Sequence, residues 1–251
     1  MDAKAETIVG TSAYAEAMRC RVAQVARYRY NVMITGPAGA GKRFLAHRIH
    51  DASPRAAAPF VPIDCSQLTE QVFAAQMFGH EAGAFAGAKA PGLGALRAAH
   101  GGTLFLGRID ALPAELQKSL LAVLHDNRVI PVGGRRPVEV EFRVVSSTRV
   151  DLQKEVLDRR LIPELYTLLD EVSLRIEPLA RRREDVPPLA DYFMQRVCEE
   201  FGIRHKRFLP ETLKILNSYH WPANVAELME VIERAALAEE SEIVLPEHLD
   251  F

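Results

Sequence analysis

This chain of 251 residues has little cysteine, a single tryptophan and no excess of charge of either sign. Its three cysteines, Cys20, Cys65 and Cys198, are an odd number and lie far apart, so they predict neither a disulfide framework nor a metal site. Lys and Arg number 31 against 33 Asp and Glu. This balance excludes a domain that binds nucleic acid through bulk positive charge.

Long hydrophobic runs are also missing. No stretch reaches the roughly 18 apolar residues that a membrane-spanning helix needs. The first residues include Asp2, Lys4 and Glu6 with no apolar segment behind them, which is not typical of a signal peptide. We therefore expect a cytoplasmic protein that binds no membrane. Its 48% hydrophobic and 25% charged residues are typical of a globular protein with a packed core.

Short apolar runs alternate with helix-period segments over the first two-thirds of the chain. The runs predict strands at 32–35, 60–63, 103–106, 143–148 and 172–176. The intervening segments predict helices at 12–27, 43–50, 116–124 and 163–169. This alternation predicts an α/β fold whose mostly parallel sheet is covered by helices. Gly133-Gly134, between runs at 129–132 and 137–142, predicts a small β-hairpin.

Strand signals end near residue 177. Helical patterns follow at 184–201, 210–219 and 224–239, with proline near the start of the first two. We therefore predict two subdomains, an α/β subdomain over residues 1–177 and a small all-helical subdomain over residues 178–251.

A glycine-rich segment follows the first predicted strand and opens a helix. It reads Gly36-Pro37-Ala38-Gly39-Ala40-Gly41-Lys42-Arg43. In this context glycines let backbone N–H groups point at one centre, and Lys42 can reach terminal phosphate oxygens. The segment predicts a phosphate loop that binds ATP or ADP. Because Arg43 stands where the motif has a magnesium-ligating Ser or Thr, backbone nucleotide binding should survive better than Mg²⁺ binding.

Further segments carry a resemblance to a known family. In chain order they are Phe78-Gly79-His80-Glu81, Gly83-Ala84-Phe85-Ala86-Gly87-Ala88, Gly101-Gly102-Thr103-Leu104-Phe105-Leu106 and Trp221-Pro222-Ala223-Asn224-Val225-Ala226-Glu227-Leu228. With the phosphate loop, they resemble the central AAA+ domain of the bacterial enhancer-binding proteins, the sigma-54-dependent transcription activators, over essentially the whole chain. The resemblance implies an AAA+ P-loop sheet with a helical lid and a ring that hydrolyses ATP between subunits. It also implies a contact between the loop at 83–88 and the sigma-54 polymerase.

The chain departs from the family pattern where hydrolysis is carried out. The resemblance places the metal-binding Asp and the water-polarising Glu at Gly107 and Arg108, and the Asn that restrains this Glu at Asp64. Neither glycine nor a guanidinium coordinates a divalent metal or accepts a proton at pH 7. We hypothesise that an Asp64–Arg108 ion pair replaces the switch.

The other family positions are changed as well. The trans-acting arginines map to Ile162 and Leu168, the lid's sensor arginine to Ala226, and the sensor Asn to Arg149. An arginine finger alone is worth about 10³- to 10⁵-fold in rate. These losses predict a pseudo-ATPase. In the contact loop, Ala86 replaces the family's Thr while Phe85 is kept.

The leading interpretation is a transcription-regulatory AAA+ module that binds ATP or ADP without efficient hydrolysis. Its partners would be itself or an intact AAA+ activator, with the sigma-54 polymerase as a further candidate and DNA reached only through another domain or partner. One alternative is a slow ATPase that uses Asp110 and Arg159 and drives sigma-54 polymerase remodelling. Another is a scaffold, or a sensor of another phosphate ligand such as a cyclic dinucleotide.

Overall fold

The computed structural model of the protein describes residues 7–238 and 241–251. Asp2, Lys4, Glu6 and the last residue of the helix predicted at 224–239 lie outside these ranges. The described residues fall into two compact units. The sheet unit comprises Ala23–Thr35 and Arg43–Arg175, and the lid unit comprises the residues up to Val22, Gly36–Lys42 and Ile176–Phe251.

Within the described residues, five parallel strands form the main sheet of the sheet unit. In chain order the strands of this unit are β1 (Val32–Thr35), β2 (Phe60–Asp64), β3 (Thr103–Gly107), β4 (Arg128–Val129), β5 (Val138–Glu139), β6 (Arg143–Thr148) and β7 (Val172–Arg175). The order across the main sheet is β2-β3-β6-β1-β7. Strands β3 and β6 are buried along their whole length, as parallel strands covered on both faces should be. The predicted α/β class is confirmed.

The helices between residues 13 and 169 include several that the sequence patterns did not predict. They are α1 (Ala13–Ala26), α2 (Lys42–Asp51), α3 (Glu70–Phe78), α4 (Ala95–Ala98), α5 (Ala114–Asp126), α6 (Leu152–Leu157) and α7 (Pro163–Leu169). Helices α3, α4 and α6 were not predicted. The apolar residues of α3 form no single stripe, and α4 is one turn long, so neither has a clear helical period.

The predicted hairpin is present but its strands are short. Strands β4 and β5 pair antiparallel, with Arg128 opposite Glu139 and Val129 opposite Val138. The predicted extents of 129–132 and 137–142 were too long. Pro131 and Pro137 lack an N–H group, so neither can donate to the ladder, and the pairing ends before them.

The lid unit contains three longer helices and a short strand pair. Helices α8 (Val186–Phe201), α9 (Pro210–Ser218) and α10 (Asn224–Ala238) pack around buried Trp221, whose indole N–H donates to the Leu216 carbonyl at 2.9 Å. Strands β8 (Arg207–Phe208) and β9 (Ile243–Val244) pair in parallel. The prediction of an all-helical lid was therefore wrong in this detail, because two-residue strands leave no periodic signal.

None of the helices in the described part of the chain is both long and apolar enough to cross a bilayer.

Candidate nucleotide site

The phosphate loop begins at Gly36, directly after β1, and leads into the first turn of α2. Gly39 has φ +68°, in the left-handed region that favours glycine. A β-carbon at Gly39 would lie 1.9 Å from the Ala223 carbonyl oxygen, so only glycine fits there. By contrast, a β-carbon at Gly41 would meet no atom within 4 Å. The loop is thus closely packed at Gly39 and open at Gly41.

Lys42 lies folded over its own loop. Its Nζ donates to the carbonyl oxygens of Gly36 and Pro37, each at 2.7 Å. The N–H groups of Gly39 and Gly41 donate to no other group within residues 7–238 and 241–251. An ammonium group beside open backbone donors is the arrangement that binds phosphate oxygens. The residues of the predicted loop therefore fit a nucleotide phosphate.

Asn224 joins this loop to the rest of the lid unit. Its Nδ2 donates to the Ala38 carbonyl at 2.9 Å, and its Oδ1 accepts the N–H of Leu179 at 2.9 Å. The side chain is buried and the backbone φ is +59°. Beside it, the N–H of Ala226 donates to the Gly39 carbonyl at 3.1 Å. Sequence reasoning used Asn224 only to identify the family and missed this role.

Asp185 is a second buried polar residue of the lid unit. It is fully buried and accepts hydrogen bonds from the Ser12 N–H and Oγ, each at 2.8 Å. The Arg182 Nη1 lies 3.6 Å from the Asp185 Oδ2, and the Arg182 guanidinium lies over the Tyr14 ring. Burial raises the pKa of the Tyr14 phenol. The start of α1 is thereby fixed to the segment directly before α8, inside the lid unit.

In the sheet unit, the end of β3 carries no carboxylate. Gly107 is the last strand residue and is buried. Arg108 follows in the left-handed region at φ +55°, and its Nε is buried without a hydrogen-bond partner. Arg149 follows the neighbouring strand β6 and is exposed. The resemblance places an acidic pair at the end of β3 and an asparagine after β6. The chain instead has an arginine after each of these two strands.

The hypothesised Asp64–Arg108 ion pair is wrong. Both residues lie in the described part of the chain, and no ion pair joins them. Asp64 ends β2 opposite Gly107, and its carboxylate accepts the N–H and Oγ of Ser66 at 3.0 and 2.7 Å. A local turn satisfies this carboxylate more readily than a side chain from the next strand does.

Asp110, the residue of the slow-ATPase alternative, is also engaged. Its Oδ1 accepts the Thr148 hydroxyl at 2.8 Å, which ties the turn after β3 to the end of β6. Asp64 and Asp110 both raise the pKa of the Cys65 thiol, although its burial is the larger cause, and the value reaches about 12. Cys65 is therefore a protonated core residue at neutral pH.

These residues do not fit a magnesium ion. Gly107 offers no ligand atom, Arg108 is a cation, and the exposed Arg43 takes the place of a hydroxyl ligand. In the parts of the chain that the structure describes, no three His, Cys, Asp or Glu side chains come together as a metal site would require.

The positions of the trans-acting arginines hold apolar residues. Ile162 packs against the core of the sheet unit, and its N–H donates to the Gln117 Oε1 at 2.9 Å. The Leu168 carbonyl accepts the Asn31 side chain at 2.9 Å. Arg159 is exposed in a left-handed turn at φ +58°.

The loop at 83–88 is closed at its base. The Gly83 N–H donates to the Ala88 carbonyl at 2.7 Å, and the Ala88 N–H donates to the Phe85 carbonyl at 3.0 Å. Phe85 is 45% exposed, and its ring centroid lies 4.9 Å from that of His80. The loop therefore presents one aromatic side chain at its tip.

Two models of known protein families match consecutive parts of this chain. A family model described as "Sigma-54 interaction domain" matches residues 8–175, and one described as "AAA+ ATPase lid domain" matches residues 180–251. The chain belongs to the sigma-54 interaction domain family. The resemblance inferred from the sequence is confirmed, and so is the AAA+ fold with its lid.

Members and neighbours of the sigma-54 interaction domain family match most of this chain. Transcriptional regulatory protein GlrR of Escherichia coli is 39% identical over 220 residues, which are 88% of this chain and 50% of GlrR. The Nif-specific regulatory protein of Rhizobium leguminosarum bv. trifolii is 39% identical over 243 residues, covering 96% of this chain and 68% of that protein. NtrX from Brucella abortus, crystallised with ADP, superposes at a TM-score of 0.87 with 33% identity, over 96% of this chain and 54% of NtrX.

The chain spans about half the length of the first curated relatives that it matches. It therefore corresponds to the sigma-54 interaction domain and lid of these regulators.

Proposed function

We propose that this chain is the AAA+ module of a sigma-54-dependent transcription regulator that binds ATP or ADP with little or no hydrolysis. The observation that carries the proposal is the end of β3, where Gly107 and Arg108 stand in place of an acidic pair. A pseudo-ATPase of this kind regulates by binding and assembly instead of by turnover.

Nucleotide binding is supported by the phosphate loop. Gly39 and Gly41 present open N–H groups, and Lys42 already lies over the loop. NtrX was crystallised in complexes with ADP and with ATP. We infer that a bound phosphate replaces the carbonyls of Gly36 and Pro37 as the hydrogen-bond acceptor of the Lys42 ammonium group. A hydrogen bond between two charged groups is stronger than one to a neutral carbonyl.

The loss of hydrolysis is supported by the chemistry of the remaining groups. Hydrolysis needs a carboxylate base that activates a water molecule, and Asp110, in the turn after β3, already accepts a hydrogen bond from Thr148. Ile162 and Leu168 supply no charge to a neighbouring subunit's phosphates. These losses affect the base, the metal and the electrophile separately, so restoring one residue, as in Arg108→Glu, is not expected to restore turnover.

We propose that the output passes through protein contacts. Asn224 links the phosphate loop to α10 and to the Leu179 N–H, so a shift of the loop is carried to the rest of the lid unit. At the other functional surface, Phe85 at the tip of the closed loop is the side chain proposed to contact sigma-54. The partner at the ring is a second copy of this chain or an intact AAA+ activator.

The test is calorimetric titration of the purified protein with ATP, with and without Mg²⁺, beside the Lys42→Ala variant. Lys214→Ala is the matched control, since this lysine lies exposed on α9. We expect binding in both conditions that is lost in Lys42→Ala and kept in Lys214→Ala. Absence of binding at millimolar ATP would instead favour a scaffold or a receptor for another ligand.

A further inference from the structure

A short segment of alternating arginine and tyrosine joins α1 to β1 in the sheet unit. It reads Arg27-Tyr28-Arg29-Tyr30 and begins directly after Ala26, the last residue of α1. All four residues of this arginine–tyrosine segment are exposed. Tyr28 and Tyr30 are 55% and 52% exposed, and their ring centroids lie 5.8 Å apart. Two adjoining tyrosines that keep half of their surface in water do not belong to the core.

The backbone of the arginine–tyrosine segment is held from below. Arg143 begins β6 and is 2% exposed, and its Nε and Nη2 donate to the carbonyl oxygens of Tyr30 and Val25 at 2.9 and 3.0 Å. Asn31, the residue after the segment, accepts the Val144 N–H at 3.1 Å. The two tyrosines are therefore presented on a fixed backbone, which lowers the entropy cost of binding a partner there.

Arg29 is available to an external anion. Its side chain is 84% exposed, with Nη1 3.3 Å from the Glu141 Oε1. The same carboxylate oxygen lies closer to Arg55, at 2.7 Å. An exposed ion pair contributes about 0–1 kcal/mol, so Arg29 can exchange Glu141 for another anion at little cost.

The surroundings of the segment are locally positive. Among the described residues, the segment and the side chains bonded directly to it carry three arginines against one glutamate, namely Arg27, Arg29 and Arg143 against Glu141. Glu171, which accepts the Asn31 N–H at 2.6 Å, and Arg55 add one charge of each sign. An anionic partner is therefore complementary to this surface, although the whole chain has a net charge of −2.

We propose that the arginine–tyrosine segment binds single-stranded nucleic acid, with bases stacked on Tyr28 and Tyr30 and phosphates bonded to Arg27 and Arg29. Aromatic and cationic side chains in combination bind single strands of any sequence, because every base has a face that stacks and every nucleotide carries a phosphate. A double helix hides the faces of its bases. An acidic peptide satisfies the arginines but has no repeated planar group to stack on the two rings.

This inference goes beyond the proposed function and needs no nucleotide at the phosphate loop. The residues that carry it all belong to the sheet unit. Single-stranded DNA and RNA share the bases and phosphates that it invokes, so the experiment uses both.

The test is fluorescence anisotropy of labelled oligothymidylate and oligouridylate of about 20 nucleotides, titrated with protein without ATP at about 50 to 200 mM salt. A DNA duplex of the same length and vesicles that contain phosphatidylglycerol are parallel probes. The variants are Tyr28→Ala, Tyr30→Ala, Tyr30→Phe and Arg29→Ala. The matched controls are Phe201→Ala, at an aromatic residue of α8 that is 49% exposed, and Arg136→Ala, at an exposed arginine between β4 and β5. Circular dichroism establishes that each variant is folded.

We expect wild type to bind the single strands, and Tyr28→Ala and Tyr30→Ala each to weaken binding by about fivefold or more. Tyr30→Phe should keep the affinity, because it keeps the ring that stacks. Arg29→Ala should weaken binding and lower the slope of log affinity against log salt by about 0.7, the value of one phosphate contact to a single strand. Phe201→Ala and Arg136→Ala should bind as wild type does.

Binding of either oligonucleotide with this dependence on the tyrosines supports the inference, and the tighter of the two identifies the preferred sugar. Absence of binding at the lowest salt would overturn it, as would affinities that Tyr28→Ala and Tyr30→Ala leave unchanged. Duplex binding as tight as single-strand binding would exclude stacking. Vesicle binding that needs the tyrosines, without oligonucleotide binding, would assign the segment to a membrane surface instead.

The Lys42→Ala variant separates this surface from the phosphate loop. It should bind the single strands as wild type does, because the strands are not expected at that loop. Loss of oligonucleotide binding in Lys42→Ala, with binding kept in Tyr28→Ala, would place the strand at the phosphate loop and overturn the inference.

Discussion

Asn224 shows how much of the candidate site depends on one buried side chain. Its amide satisfies the Ala38 carbonyl and the Leu179 N–H at once, and its φ of +59° is one that asparagine tolerates better than most residues. The sequence pattern contains this residue but does not show which groups it bonds, because those groups come from segments distant in the chain.

Replacing Asn224 with alanine should therefore lower the free energy of unfolding by about 2–4 kcal/mol, from two lost hydrogen bonds and an unfavourable left-handed alanine. Urea unfolding measures the change. Asn217→Ala is the matched control, since Asn217 is exposed on α9 and should change stability by about 0.5 kcal/mol or less. Equal effects of the two substitutions would show that Asn224 holds nothing in place.

His50 gives the fold a pH dependence that is unrelated to nucleotide binding. It is buried on α2, with Nδ1 2.9 Å from the Thr103 hydroxyl, and burial lowers the pKa of its imidazole below the ordinary 6.5. As pH falls through 6.5, the unfolded chain takes up a proton that the folded protein does not. The free energy of unfolding should therefore fall as pH drops from 6.5 toward the lower folded pKa.

Urea unfolding at about pH 7.5 and about pH 5.5 tests this expectation. Wild type should lose more stability between the two values than His50→Gln does. His125→Gln, at an exposed histidine on α5, should behave as wild type. A pH dependence that survives unchanged in His50→Gln would assign the effect to other groups.

At the scale of elements, the phosphate loop is packed against the residues that open α10, and Gly39 is where they meet. Gly39 and Gly101 both have positive φ, at +68° and +77°. A β-carbon at Gly39 would meet the Ala223 carbonyl at 1.9 Å, whereas a β-carbon at Gly101 would meet nothing within 4 Å. An alanine would be strained at both positions, but only at Gly39 would it also clash with another backbone group.

Gly39→Ala should therefore cost clearly more stability than Gly101→Ala, whose cost should stay near the roughly 1–2 kcal/mol of a left-handed alanine. Gly39→Ala should also abolish ATP binding, while Gly101→Ala should leave it intact. Thermal unfolding and ATP titration of the two variants provide the comparison. Similar losses in both would mean that the loop and α10 separate easily.

The elements divide into those that a single sequence reveals and those that it does not. Strand β3 was predictable because burial on both faces favours an unbroken apolar run, here Leu104-Phe105-Leu106, and the phosphate loop was predictable because glycines and Lys42 directly follow β1. Strands β8 and β9 were not, since they depend on pairing between residues about 36 apart, Arg207 with Ile243, in stretches too short for periodicity.

The candidate site was also predictable only in part. Residue types at family positions predicted that carboxylates would be missing after β3, and the structure has Gly107 and Arg108 there. The partner of Asp64 was not predictable. The opposite charges of Asp64 and Arg108, at the ends of paired strands, gave no information on the competing hydrogen bonds from Ser66. Local hydrogen bonds form at little entropic cost, and sequence reasoning underestimated this one.

At the scale of the whole molecule, the proposal treats the chain as a subunit that binds nucleotide and assembles. Ile162 and Leu168 stand at the positions of the trans-acting arginines, and neither carries a charge; the Ile162 side chain packs against the core of the sheet unit. A ring that contains such a subunit lacks the electrophile at one interface.

Mixing this protein with an intact sigma-54 activator should therefore lower the ATPase rate of that activator, and the two should co-purify. The control is an equal excess of an unrelated globular protein. An unchanged rate at large excess of this chain, under conditions in which the activator is assembled, would rule out the mixed ring and leave self-assembly as the output.

The central claim, nucleotide binding without turnover, is tested most directly by phosphate release at an ATP concentration that calorimetry shows to be saturating, in the presence of Mg²⁺. We predict a rate indistinguishable from that of Lys42→Ala. Phosphate release that is clearly above that baseline and disappears in Lys42→Ala would contradict the claim, and would make this chain a working ATPase despite Gly107 and Arg108.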